Sequence, residues 1–300
     1  MFHILKAGRY SAVCDFSGDF SGITLLLARK AGVGKRIASY RGWLPLYRQD
    51  PLRKAYAGFM RGMVRSQATN ILSNSKACFE LFFPNYWEND ARFKVVYNGI
   101  PIEPYSQPVD ADGLRNKLGI ASDKVIIGHL GRHDKAKNHN TILEVAKRFQ
   151  DAGREDIVFL FIGHGIPEGI GPISQQLGLN NVVCSPARID IPDILRILDA
   201  FIFPSITEGQ PNALLEVMFE GIPFVSSNIP SIKECVHYDA YDWLVDPFDV
   251  EGAFKRVALM IDNLERFKLK AAKMQPWIRK RHDATRCFGQ LAECLRSVRP

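Results

Sequence analysis

Residues 203–234 read FPSITEGQPNALLEVMFEGIPFVSSNIPSIKE, and the order of breakers and apolar runs in this stretch decides the fold. The apolar run 200–203 reads as the end of a buried strand, which Pro204 stops. A loop of Ser, Thr, Glu, Gly and Gln follows. Pro211 then suits the first turn of a helix, where an N–H is not needed. Leu214, Leu215, Val217, Met218 and Phe219 make that helix largely apolar, so it is expected to lie buried against a sheet. Gly221 ends it, and residues 222–226 read as the next strand. A strand–loop–helix–strand unit of this kind aims the first amides of its helix at the carboxyl edge of the sheet, where they form an anion site.

Two carboxylates decorate the unit. Glu208 lies in the loop, and Glu216 lies on the helix eight positions later. With a rise of about 1.5 Å per residue, Glu216 falls roughly one and a half turns inside the helix. Two isolated glutamates are ordinarily a loop acid and a solvated helix acid. Here Val217, Met218 and Phe219 follow Glu216 directly, so it sits on a helix with little exposed surface.

The segment EGQPNALLEVMFEGIPFVSSNIPSIKE resembles the donor-site signature of the retaining GT-B glycosyltransferases of family 4: Glu, seven residues, Glu, a small-residue turn and a short strand. The resemblance implies that Glu208 meets the donor sugar and Glu216 holds the ribose hydroxyls of the nucleotide. It also implies that the turn made by Gly209, Gln210, Asn212, Ala213 and Leu214 faces sugar and phosphate. The likeness runs from Ser11 to the end of the chain and is strongest over residues 124–234.

The 300 residues suggest about two domains, and 46% hydrophobic content is enough for real cores. No apolar run approaches the roughly 18 residues needed to span a bilayer, and MFHILKAGRY lacks the apolar centre and cleavage site of a signal peptide. Cys14, Cys78, Cys184, Cys235, Cys287 and Cys294 are scattered without a CxxC pair, so reduced thiols, a cytoplasmic setting and no metal site are the expectation. The net charge of +7 is unevenly placed: residues 1–75 hold 12 Lys/Arg against three Asp and no Glu. Ten of those basic residues fall between Arg29 and Arg65. Such a segment is either a solvated face or a contact for anionic lipid or a phosphorylated acceptor, which would make the protein peripheral at a membrane. No binding-module motif points to nucleic acid.

Taken in order, residues 11–16, 36–39, 69–72 and 94–97 read as strands, with helices at 23–30 and 51–63 and a short one from Ser75. This βαβ alternation predicts a parallel sheet. A complete nucleotide-binding half of this type carries further βα units of roughly 30 residues each, so the first domain, 1–105, is expected to be incomplete. The resembling family has a glycine-rich loop after its first strand, near the acceptor. Many of its members also place a histidine after the strand matching 36–39, where this chain has Ser39-Tyr40-Arg41-Gly42-Trp43. Both departures concern the acceptor side.

Asn98-Gly99 is a turn signal, and the proline-rich 101–112 is a plausible linker to a short helix at 114–118. The second domain, 106–278, opens on the strand 125–130. Gly131 and Arg132 follow it, and Lys137-Asn138-His139 leads into a helix at 140–149. A close-approach glycine with two cations at a strand–helix junction suits a diphosphate. The resemblance over GRHDKAKNH assigns Arg132 and Lys137 that role, with Lys135 the weaker candidate in mid-loop. Residues 157–162 form another buried strand ending in Gly163-His164-Gly165, which fits the family's turn below the donor. His164 reads as a solvated turn histidine. A strand at 182–184 leads to Arg188, expected beside the nucleotide base, and 191–198 is a helix. Beyond Glu234 the pattern gives a strand at 241–245, a helix at 250–264 and a basic helix over 279–298. In GT-B enzymes the last of these returns to the first domain.

The sequence thus reads as α/β, with two Rossmann-like domains and parallel sheets. The resemblance implies a retaining transferase that moves a sugar from a nucleotide-sugar to a glycan or lipid-linked acceptor, with no metal. Cations and a helix start would neutralise the leaving diphosphate instead. The alternatives are a non-catalytic nucleotide-sugar-binding fragment, motivated by the short first half, and an epimerase-like protein, which the missing GxGxxG argues against.

Overall fold

The computed structural model describes residues 1–42 and 50–296. Trp43 and Arg48 of the basic stretch, and Val298 of the expected last helix, lie outside them. The chain divides into two compact units. The first comprises Met1–Gly99, Glu208–Gln210 and His282–Pro300; the second comprises Ile100–Thr207 and Pro211–Arg281.

The first unit contains α1 (Phe2–Gly8), β1 (Ala12–Asp15), α2 (Ser21–Lys30), β2 (Lys35–Tyr40), α3 (Pro51–Gln67), β3 (Asn70–Ser73), α4 (Lys76–Phe82) and β4 (Phe93–Val95). Its four strands are parallel, in the order β1-β2-β3-β4. Leu25, Tyr40, Val64, Ile71, Phe79, Phe83 and Phe93 form its main core. Polar side chains cap α3 and α4. Asp50 accepts from the Arg53 amide at 3.0 Å, and Ser75 from the Cys78 amide at 3.2 Å. Asp19 is buried and satisfied, because Tyr40 Oη donates to it at 3.0 Å and the Arg61 guanidinium grips it with two bonds of 3.0 and 2.7 Å. That pairing bears on the basic segment. Arg61 serves a buried carboxylate, and Arg65 lies 3.6 Å from the Tyr86 ring centroid. Helical spacing puts Lys54, Arg61 and Arg65 on the side of α3 away from its exposed Leu52, Tyr56 and Phe59.

The second unit contains α5 (Ala111–Lys117), β5 (Val125–Leu130), α6 (His139–Asp151), β6 (Ile157–Ile162), α7 (Ile166–Gln176), β7 (Val182–Ser185), α8 (Ile191–Arg196), β8 (Ala200–Phe203), α9 (Asn212–Glu220), β9 (Phe224–Ser227), α10 (Pro230–Cys235), β10 (Leu244–Val245), α11 (Val250–Asp262) and α12 (Leu264–Arg281). All six strands are parallel, in the order β10-β9-β8-β5-β6-β7. The winding direction reverses between β8 and β5, which is where parallel sheets of this kind bind ligands beyond their carboxyl ends.

Four expectations are corrected. Helix α7 was not expected, because Gly169, Gly171 and Pro172 interrupt its pattern; its buried face is Ile166, Ile170 and Ser174. Helix α10 likewise falls in a stretch, between the strand ending at 226 and Glu234, to which the sequence pattern assigned no element. The strand expected at 241–245 is only Leu244–Val245, after a 3₁₀ turn Tyr238–Trp243. That turn buries Trp243 edge-on against Phe224, with ring centroids 5.1 Å apart. The single basic helix expected over 279–298 is two helices. Helix α12 runs to Arg281, and Asp283 then caps α13 (Ala284–Leu295) by accepting from the Arg286 amide at 2.7 Å.

Candidate functional site

The carboxyl edge of the second sheet is built by close backbone approach. The Gly131 amide donates to the Ile162 carbonyl at 2.9 Å, and His133 N–H to the His164 carbonyl at 2.8 Å, so the turns after β5 and β6 are laced together. Gly163 has to be glycine: a Cβ there would fall 2.0 Å from the Gly131 carbonyl oxygen. His164 is exposed, and its main-chain carbonyl takes part in this lacing.

The loop that carries the cations is fastened at several points. The Asp134 carboxylate accepts from Ala136 N–H at 2.8 Å, and Ile206 N–H donates to the Ala136 carbonyl at 2.8 Å. Asn138, with φ 53°, takes the left-handed conformation that asparagine tolerates. Its Nδ2 donates to the carbonyls of Pro204 at 3.2 Å and Pro247 at 2.6 Å. Within this frame Lys137 is half-buried, its ammonium 4.9 Å from the Phe203 ring centroid. Arg132 is exposed and pairs with Asp134 at 3.3 Å. Lys135 is exposed.

Helix α9 begins at Asn212, with Pro211 as its N-cap rather than in its first turn, and the Pro211 side chain makes no capping hydrogen bond. Asn212 is exposed, Ala213 half-buried and Leu214 buried. At the other end Gly221 closes the helix with φ 72°. Gln275 and Arg279 of α12 both donate to the Phe219 carbonyl, at 3.0 and 3.2 Å, which suits the negative end of a helix dipole. Glu216 sits between the two ends, half-buried, and burial pushes its carboxyl up to about 7. Burial, with the Glu216 and Glu220 charges next, also pushes the Tyr105 phenol upward. Glu220 itself is tied to Arg196 at 3.6 Å.

Of the sequence-predicted residues, Arg132, Lys137 and Gly163 stand on neighbouring turns of this edge. Arg188 turns to Asp190, donating to it at 2.8 and 2.5 Å. Glu208, Gly209 and Gln210 group with the first unit. There a Cβ on Gly209 would lie 2.4 Å from the Arg41 carbonyl oxygen. Gln210 is buried and accepts two hydrogen bonds from Asn98: its Oε1 from the Asn98 amide at 2.5 Å, and its main-chain carbonyl from Asn98 Nδ2 at 3.2 Å. Glu208 is half-buried.

Sequence reading did not single out Asn138, His129 or Ser205. His129 and His139 are buried, and His129 is ringed by Phe161, Phe201 and Phe203. Burial holds the His129 imidazole well below its ordinary range, with His139 and Lys137 adding to the effect. Burial, His133 and Lys137 lower His139 to about 4. The Ser205 hydroxyl, just past β8, is buried without a hydrogen-bond partner among the described residues. The one available signal was the histidine inside an apolar six-residue strand, since a buried polar ring has to find a partner.

Comparison with known proteins fits this architecture. The Bacillus subtilis (strain 168) protein EpsF is 29% identical over 240 residues, covering 78% of this chain and 61% of EpsF. The Escherichia coli UDP-Gal:alpha-D-GlcNAc-diphosphoundecaprenol alpha-1,3-galactosyltransferase is 23% identical over 269 residues, 88% of this chain and 69% of that enzyme. Anabaena Alr3699/HepE, solved in complex with UDP and glucose, shares the GT-B fold with a TM-score of 0.82 at 20% identity, covering 98% of this chain and 80% of that one. Residues 110–274, more than half of the chain, match the family Glycosyl transferases group 1, and this protein belongs to that family.

Proposed function

We propose that this protein transfers a sugar, with retention at the anomeric carbon, from a nucleotide-sugar to a lipid-linked or glycan acceptor, in the manner of family 4. The observation that carries the reading is the loop after β5. It offers Arg132 and Lys137 at the switch point of the second sheet, on a backbone fastened to the turns after β6 and β8. As the bond to the leaving group breaks, negative charge grows on the diphosphate. Pre-placed cations stabilise that charge more than they stabilise bound donor. Helix α9, whose N-cap is a proline with no side-chain donor or acceptor, adds its dipole to the same end. In this reading Glu216 receives the ribose hydroxyls and Glu208 meets the donor sugar. Gly209, Gln210, Asn212, Ala213 and Leu214 shape the turn around sugar and phosphate. Gly163 and Arg188 border the nucleotide, and no metal takes part.

The acceptor class draws support from the E. coli relative, whose name gives a diphosphoundecaprenol acceptor. A cytoplasmic protein peripheral to an anionic membrane fits that class. The test is direct. Purified protein is incubated with UDP- and GDP-sugars and a lipid-linked sugar acceptor, and the product's anomeric configuration is read by NMR. A product with the donor's configuration is expected; an inverted product overturns retention, and no transfer or sugar release from any donor overturns the activity.

A further inference from the structure

The floor of the candidate site holds a group for which the proposed chemistry has no use. Strands β5 and β8 part at their carboxyl ends, and their ladder is registered at Ile127↔Ala200 and Gly128↔Phe201. One residue further along β5, the His129 ring spans the opening, with Nδ1 2.9 Å from the Ile202 carbonyl oxygen. A carbonyl only accepts, so Nδ1 carries the proton and Nε2 of the neutral ring is a bare acceptor. Nε2 is buried without a hydrogen-bond partner among the described residues. It lies under the Gly131 turn: a Cβ built on Gly131 would stand 3.1 Å from His129 Nε2 and 3.4 Å from Cγ and Cδ of Lys137. The imidazole also stacks on Phe203 at 5.7 Å, and the Lys137 ammonium lies 4.9 Å from the centroid of that same ring. His129 therefore supports Lys137 along two routes, through Gly131 and through Phe203. The His139 ring closes the arrangement edge-on at 4.9 Å.

Packing alone does not account for a histidine here. A phenylalanine would fill the box of Phe161, Phe201 and Phe203 and would bury no unpaired nitrogen. What it would lack is the bond that ties β5 to β8 where their ladder has ended.

We propose that His129 is a positioning residue for the donor diphosphate: by bridging the parted strands and propping the Gly131 turn, it sets where Lys137 stands at the sheet edge. The proposal rests on the reading of Lys137 as a diphosphate ligand. Its signature is a loss confined to the phosphates.

The experiment uses the full chain in four forms: wild type, His129→Phe, His129→Asn and Lys137→Ala. Calorimetry measures UDP, GDP and ADP, then the nucleoside of whichever nucleotide wild type binds best; melting temperatures run alongside. The asparagine amide reaches the Ile202 carbonyl much as Nδ1 does. Lys137→Ala and His129→Phe should each weaken the nucleotide by about tenfold. The nucleoside should stay within about twofold, and His129→Phe should remain folded at the assay temperature, since the lost Ile202 bond is offset in part by removing an unpaired buried nitrogen. His129→Asn should regain most of the affinity. If Lys137→Ala loses nucleotide and His129→Phe does not, the positioning role is overturned. Equal loss of nucleotide and nucleoside in His129→Phe overturns it as well, because it marks a general structural defect. If wild type binds no nucleotide, or Lys137→Ala binds like wild type, the donor reading fails and takes the proposal with it. Should His129→Phe not fold, His129→Gln, whose amide falls at the Nε2 position, is judged by the same criteria.

Discussion

The Arg132 guanidinium stands 3.3 Å from the carboxylate of Asp134, two residues further along the same loop. Arg132 is well exposed, so the pair is a surface ion pair worth about 0–1 kcal/mol. A donor diphosphate can therefore take over the guanidinium at little loss, and its planar fork matches phosphate oxygens. Arg132→Ala and Lys137→Ala should each lower kcat by on the order of 10²-fold, with a smaller change in donor affinity. Arg132→Lys should rescue only part of this. Steady-state rates of sugar release from the nucleotide-sugar decide the matter. Wild-type turnover matched by both alanine variants would refute the diphosphate assignment.

Glu216 supplies a pH test. Its folded carboxyl titrates near 7, against 4.5 for the free group, because of burial. Its protonated form is thus the one the fold prefers, and stability contributed by that proton is lost as pH rises from about 4.5 through 7, by on the order of 1–3 kcal/mol. Ribose hydroxyls bonded to the carboxylate reverse the preference. Nucleotide affinity should therefore increase through pH 7, with proton release visible as buffer-dependent heat in calorimetry. Glu216→Gln should flatten both trends, and Glu216→Ala should weaken nucleotide binding by roughly 1–3 kcal/mol. A pH-independent affinity would remove Glu216 from the ribose.

His139 has the opposite sign. Its folded value of about 4 lies below the ordinary 6.5. The neutral ring is then the stable one, and the stability tied to it is present above about 6.5 and lost as pH falls towards 4. Urea midpoints should drop across that window in wild type, and more shallowly in His139→Phe. Parallel profiles would contradict the burial argument.

Two glycines predict opposite outcomes. Gly163→Ala drives a methyl to 2.0 Å from the Gly131 carbonyl oxygen, and should destabilise by about 2–4 kcal/mol while disarming the neighbouring cations. Gly171, inside α7, meets nothing within 4 Å, so Gly171→Ala should stabilise by about 0.5–1 kcal/mol. Thermal melts of the two variants check both statements together.

Membrane attachment through the basic stretch, proposed for residues 29–65, should be modest. Arg61 and Arg65 have partners inside the fold, so the roughly 1 kcal/mol per basic residue applies only to those that remain at the surface. Sedimentation with vesicles containing acidic lipid should exceed that with neutral vesicles, and 0.5 M salt should abolish the difference. Equal sedimentation in both would count against attachment.

The second sheet was legible where a strand is a mostly apolar run closed by a breaker: β5 and β6 were read with their observed ends, whereas β9 ends in two serines and β10 is only two residues long. Helix α7 was not legible, since Gly169, Gly171 and Pro172 are tolerated there by tertiary packing, which no local pattern displays. The cations could be read from residue type and junction. Their fastening could not: Asn138 looks like an ordinary loop polar residue until Pro204 and Pro247 approach it. Arg188 shows the converse, because a cation beside a strand end turned out to have Asp190 as its partner.

That fastening bears on how the molecule assembles. The bond from Asn138 to the Pro247 carbonyl joins positions 109 apart in the chain, and Thr141 Oγ1 reaches the same carbonyl at 3.1 Å. Contacts of such separation form late, after the closure entropy of the intervening chain has been met. During synthesis the sheet from β5 to β8 can be complete while the cation-bearing loop still lacks its outer tether. Ligand competence is then acquired as one of the last events of folding, when the segment before α11 swings in and locks Asn138. Pulsed hydrogen exchange should find the amides of Ala136 and Lys137 protected after those of β5 and β6; simultaneous protection would refute the sequence of events.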